Sequence, residues 1–151
     1  MKALIVYDSV YGNTEKIARA IAEAITPSGE VKVLGAGEAN PSELESTDLL
    51  IVGSPTHGGR PTPAVQDFLN KVPKLSPQVI NVAAFDTRIQ TKLVKVFGYA
   101  AGRIANNLKK KGGNLIASPE GFFVTGGQGP LKEGELERAA DWAKGMLEST
   151  K

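Results

Sequence analysis

The sequence predicts a single α/β domain, a mostly parallel sheet with helices on both faces, and three observations lead there. Four segments are apolar enough to fill strands covered on both sides, and strand and helix patterns alternate five times along the 151 residues. No repeat, low-complexity tract or linker divides them. With 41% hydrophobic and 23% charged residues, the composition is ordinary for a globular protein, and the length can bury a sizeable core without staples.

Residues 1–7 form an apolar run, the first buried strand. Ile17, Ala18, Ile21, Ala24 and Ile25 then recur as one helical stripe. Between them lies the polar stretch Ser9-Val10-Tyr11-Gly12-Asn13-Thr14, at a helix start whose backbone N–H groups lack intrahelical acceptors. A bound phosphate would satisfy those groups. The alternative is that Ser9 and Thr14 only cap the helix.

Residues 30–34 alternate polar and apolar, as an edge strand does. Residues 35–40 hold two glycines, but the third glycine of a dinucleotide loop is absent and Pro41-Ser42-Glu43-Leu44 opens at most a short helix. Residues 48–52 are a second buried strand, followed by an irregular loop, residues 53–61, rich in glycine and proline. Thr62 caps a helix with Pro63 first; Val65, Phe68, Leu69 and Val72 form its inward stripe, and Pro73 stops it.

Residues 79–85 are the third buried strand, ending in Asp86-Thr87-Arg88. The longest helix should follow, with Leu93, Val96, Phe97, Ala100, Ala101, Ile104 and Leu108 at 3 and 4 spacing and Gly112-Gly113 as its stop. Residues 114–117 and 121–124 read as a last strand interrupted by Ser118-Pro119-Glu120. The loop 125–129 leads to a final helix whose stripe is Leu136, Ala139, Ala140, Ala143 and Leu147.

Composition excludes several chemistries. The chain has no cysteine, hence no disulfide or thiolate, and one histidine is too few for a histidine-built metal site. No apolar run is long enough to span a bilayer and no signal core follows Met1, so a cytoplasmic protein without membrane insertion is expected. A net charge of +2 and a pI near 8.8 are too mild to argue for nucleic acid. Asp8 reads as structural, because a phosphorylated receiver domain would need an aspartate at the end of the third strand, where Gly53-Ser54 stands.

In an open parallel sheet, ligands bind beyond the carboxyl ends of the strands where the winding reverses. That selects three polar loops, residues 9–14, 54–60 and 86–88. The segment Tyr-Asp-Ser-Val-Tyr-Gly-Asn-Thr-Glu-Lys-Ile-Ala from Tyr7 resembles the phosphate loop of the flavodoxins. Gly-Ser-Pro-Thr-His-Gly from Gly53 is similar to their second flavin loop, and Phe-Asp-Thr-Arg from Phe85 to their third. The resemblance runs along the whole chain and implies a short-chain, FMN-binding member: a doubly wound five-stranded parallel sheet in the order 2-1-3-4-5, spanning residues 1–151.

By that resemblance Ser9, Val10, Tyr11, Gly12, Asn13 and Thr14 hold the FMN phosphate. Pro55 and Thr56 line the ribityl chain and inner ring edge, and the backbone of Thr56, His57, Gly58 and Gly59 faces the redox-active nitrogen. Phe85, Asp86, Thr87 and Arg88 contact the pyrimidine end. The physics agrees at the first loop, where two hydroxyls and successive amides can hold a dianion without lysine or arginine.

The implied function is an electron carrier between redox partner proteins, a monomer or weak homo-oligomer with no catalytic side chain and no metal. An FMN-dependent NAD(P)H:quinone oxidoreductase is the alternative, and a flavin-free interaction module is a third reading. The chain departs from the family in two respects. Many flavodoxins stack the flavin between a tryptophan and a tyrosine, whereas these loops offer only His57, Tyr11 and Phe85, and flavodoxins are usually strongly acidic. With His57, Arg60 and Arg88 near the ring against Asp86 alone, the fully reduced flavin should form at a less negative potential. Trp142 belongs to packing on the last helix. Lys109-Lys110-Lys111 is expected to be a solvated helix end complementing the dipole, with docking of an acidic partner as the other option.

Overall fold

In a computed structural model describing residues 1–75, 80–89 and 99–149, the apolar runs pair as parallel strands. Strand β1 (Lys2–Tyr7) is flanked by β2 (Glu30–Gly35) and β3 (Leu49–Pro55), and β3 pairs with β4 (Asn81–Ile89). The far edge is split. β5 (Asn114–Leu115) pairs with Asn81 and Val82 of β4, and β6 (Glu120–Val124) pairs with β4 from Phe85 to Ile89. The order is therefore 2-1-3-4-5 with a broken fifth strand, a doubly wound, flavodoxin-like arrangement. β2 is the other edge, with Glu30 and Lys32 exposed, as its alternating pattern requires.

Side chains alternate across a strand, so each central strand feeds two cores. Leu4, Val6, Leu50, Val52, Val82 and Ala84 pack against α2 (Pro63–Lys71) and α3 (Ala100–Lys110) through Phe68, Ile104 and Leu108. Ala3, Ile5, Ile51, Ala83 and Phe85 pack against α1 (Asn13–Ile25) and α4 (Glu135–Glu148) through Ile17, Ile21, Ala139 and Ala143. Trp142 lies in the second core, its ring edge-on to Phe85 at 6.3 Å and Phe122 at 6.0 Å.

Several boundaries differ from those read off the sequence. Gly53, Ser54 and Pro55 continue β3, and Asp86, Thr87 and Arg88 continue β4, because β6 supplies a partner for the outer half of β4. Tyr99 is extended (φ −131°, ψ 151°), so the third helix begins at Ala100; Leu93, Val96 and Phe97 lie outside the described residues. Its end is as expected, with the Gly113 N–H donating to the Leu108 carbonyl. Thr62 precedes α2 but its hydroxyl makes no capping bond; its N–H donates to Ser54 Oγ at 2.9 Å instead.

On α4 the buried positions are Glu135, Ala139, Ala143 and Met146, while Leu136 is 44% exposed. The helix is rotated relative to the expected stripe because the Glu135 carboxylate is needed inside: it accepts from the Phe123 N–H at 2.7 Å and from Arg138. Lys111 is likewise only partly exposed. Its ammonium donates to the Leu69 carbonyl, and burial pushes its pKa below the ordinary lysine value.

Candidate functional site

The carboxyl ends of β1, β3, β4 and β6 converge on one cleft, and its floor is built from short polar links. After Tyr7 the chain turns through Gly12, whose φ of +89° places it in the left-handed region that favours glycine. α1 starts immediately afterwards, leaving the N–H groups of its first turn without intrahelical acceptors. Ser9 Oγ lies beneath this turn and accepts from the Gly12 N–H at 3.0 Å and the Glu15 N–H at 3.3 Å. Thr14 is buried, and its hydroxyl lies 2.7 Å from that of Thr87 on β4. Val10 and Tyr11 stand 52% and 56% exposed at the rim.

The second wall is Pro55, Thr56 and His57. The Thr56 N–H donates to the Thr87 carbonyl at 2.9 Å, and Thr56 Oγ1 accepts from Ala100 N–H at 3.2 Å. His57 and Arg60 then bridge backbone to backbone at 2.9 and 3.0 Å. Gly58 and Gly59 form the tight turn between them, both at positive φ. Arg103 on α3 pins this turn, its Nε donating to the Gly59 carbonyl at 2.8 Å.

Of the third expected segment, only Thr87 and Arg88 line the cleft. Phe85 and Asp86 do not reach it, because alternation along β4 carries them into the two cores. Phe85 is fully buried against Phe122 and Trp142. Asp86 is fully buried on the α3 side, accepting both Arg88 Nε and Nη2 at 2.7 Å and the Ala101 N–H at 2.9 Å. Arg88 is thus charge-paired, and it lies over the Tyr99 ring at 3.2 Å from the centroid. Arg60 faces a separate notch, and Arg88, though it lines the cleft, has its charge paired with Asp86.

Three lining residues were not among the sequence candidates: Ile89, Val124 and Gly127. Gly127 belongs to the loop after β6, which approaches the phosphate-type loop so closely that a Cβ on Gly129 would stand 2.5 Å from Asn13 Nδ2. Asn13 Nδ2 donates to the Gln128 carbonyl at 3.2 Å. The rule that nominated the other loops applies equally to this one, since it follows the fifth strand at the same sheet end. Among the described residues no group of histidine, aspartate and glutamate side chains could hold a metal ion.

Residues 5–142 match the family model for flavodoxin. The chain belongs to the flavodoxin family. Flavodoxins bind FMN, and the residues present fit that group: a left-handed glycine before a helix start, a hydroxyl beneath the turn, and open donors facing a cleft. A solved flavodoxin from the domain Archaea covers 100% of this chain and 100% of its own, with 22% identity and a TM-score of 0.83. Rubredoxin oxygen:oxidoreductase from the anaerobe Desulfovibrio gigas matches 99% of this flavodoxin chain over 37% of its own length, at 25% identity and a TM-score of 0.76. A putative diflavin flavoprotein A 4 of Synechocystis sp. is 32% identical over 123 residues, 74% of this chain. That match covers only 19% of the Synechocystis protein; this chain spans about a fifth or less of the curated relatives it matches.

Proposed function

We propose that the chain is an FMN-binding electron-transfer protein that passes electrons between redox partners. One observation carries the reading: the turn at Ser9 and Gly12, the wall at Pro55 to His57 and the end of β4 open onto a single cleft. FMN, when bound, supplies the reversible uptake and release of electrons. The chain supplies the rest. Ser9 and the first amides of α1 hold the phosphate, Thr14 and Thr87 keep helix and sheet in register beneath it, and the backbone from Thr56 to Gly59 borders the ring. A carrier must expose the ring edge to a partner protein.

The diflavin relatives favour a second reading, in which the domain passes its electrons to a companion domain or subunit of a longer oxidoreductase. Titration of the purified apoprotein with FMN tests the common core of both. Flavin fluorescence should quench with an end point at one equivalent, and a protein that leaves it unchanged overturns the proposal. NAD(P)H with a quinone should then turn over slowly on the loaded protein; fast turnover would replace the carrier by an NAD(P)H:quinone oxidoreductase.

A further inference from the structure

The net charge of +2 conceals an uneven distribution. Lys71 ends α2 and Lys74 follows it, against one carboxylate, Asp67. α3 and its exit carry Arg103, Lys109, Lys110 and Lys111 and no carboxylate. These two helices cover the same sheet face and make their side of it cationic, while the short helix Pro41–Ser46, packed on that face through Leu44, carries Glu43 and Glu45. The acidic residues of the helices lie mainly on the opposite side, on α1 and α4.

At the cleft end of this cationic face lies a notch of about 280 Å³, its polar lining made of Arg60, Gln66, Asn70, Arg103 and Asn107. Every one of these is a guanidinium or an amide. Arg103 is fixed in place by its bond to the Gly59 carbonyl, and Gln66 by donating to the Pro61 carbonyl at 2.8 Å. The Arg60 side chain makes no hydrogen bond or ion pair among the described residues. Asn107 Oδ1 is buried without a hydrogen-bond partner.

We propose that this notch is the docking site for an acidic segment of a redox partner protein. The inference rests on the electron-transfer reading and adds where and by what chemistry the partner seats. Two guanidiniums fit a carboxylate side chain. Position completes the case: His57 borders the cleft, Arg60 borders the notch, and the two are bridged backbone to backbone across one turn. A partner seated in the notch lies one turn away from the cleft. The lysines behind it extend the field that steers an acidic partner toward this face.

The test uses acetyl-hexaglutamate amide as probe, titrated into isotope-labelled full chain with and without FMN and followed by amide chemical shifts. Shifts should centre on Arg60, Arg103 and Asn107, and affinity should fall with added salt. Arg60→Ala should weaken the peptide by about two- to fivefold, whereas Lys16→Ala with Lys144→Ala, on the opposite face, should leave it unchanged. Shifts confined to α1 and α4, an equal response to hexalysine, or full affinity in Arg60→Ala overturns the docking site. Flavin binding is read separately in the same samples, so failure of the flavin reading is distinguishable from failure of the notch.

Discussion

The hydroxyls of Thr14 and Thr87, 2.7 Å apart and both buried, join the first turn of α1 to β4 directly under the cleft. Replacing either by valine strands the other hydroxyl, which costs about 1–3 kcal/mol. The double replacement removes both polar groups and should lose less than the two singles combined. Denaturant unfolding of the four proteins in a double-mutant cycle checks this, and additive losses would show the two hydroxyls to be uncoupled.

Ser9 Oγ serves two amides of the phosphate-type turn. Ser9→Ala should therefore loosen the loop itself, weakening FMN by about five- to thirtyfold, the equivalent of roughly 1–2 kcal/mol. Fluorescence titration reads the change. Global stability should fall by much less than for the Thr14 variant, because Ser9 lies outside the core.

Two glycines should fail for different reasons. A Cβ at Gly53 would stand 2.0 Å from the Phe85 ring, and neither the ring nor β3 can yield. Gly53→Ala should lose at least about 3 kcal/mol or not fold. At Gly12 a Cβ meets nothing within 4 Å, but φ is +89°. Gly12→Ala should cost about 1–2 kcal/mol, partly recovered by Gly12→Asn, whose side chain tolerates that conformation. Thermal unfolding of the three variants ranks them.

The Asp86–Arg88 pair has side chains 0% and 12% exposed. Asp86→Asn leaves the guanidinium uncompensated and should destabilise by about 3–5 kcal/mol. Replacing both partners, Asp86→Leu with Arg88→Met, should be less harmful than the single change. Urea midpoints decide between these outcomes.

Glu135 sets an acid limit on stability. Hydrogen bonds from Arg138, chiefly, hold its carboxyl below the usual range against the opposing effect of burial, with the Phe123 N–H helping. A carboxyl depressed in the folded state stabilises fully above its unfolded pKa and loses that contribution as pH falls through the folded one. The wild type should exceed Glu135→Gln by about 1–3 kcal/mol at neutral pH, and the gap should close below the ordinary carboxylate range. Unfolding curves from neutral to acid pH check the sign.

The sheet was legible because β1, β3 and β4 are buried on both faces, which leaves long unbroken apolar runs. What escaped was pairing. Gly53 to Pro55 carry residues that favour loops, yet β4 pairs with all three and β1 with Gly53, which holds them in β3, with Pro55 tolerated as the last residue. Asp86 reads as a loop carboxylate until Arg88 and Ala101 are seen to enclose it. Leu136 outranks Glu135 on any hydropathy scale, and only Arg138 and the Phe123 N–H, distant in sequence or turned by the fold, reverse that order. The first loop was legible by its local pattern, whereas the contribution of Val124 and Gly127 depended on β6 reaching the same sheet end.

The bond from Asn13 to the Gln128 carbonyl separates how tightly the cleft holds a cofactor from how long it does so. On the proposed flavin reading, Ser9 and the α1 amides would set the depth of the well, and the glycine-rich loop tied to α1 by that side chain would be its latch. Removing that tie with Asn13→Ala leaves those donors in place and should shorten the residence time of FMN, making the apoprotein easier to reload and the loaded protein easier to empty.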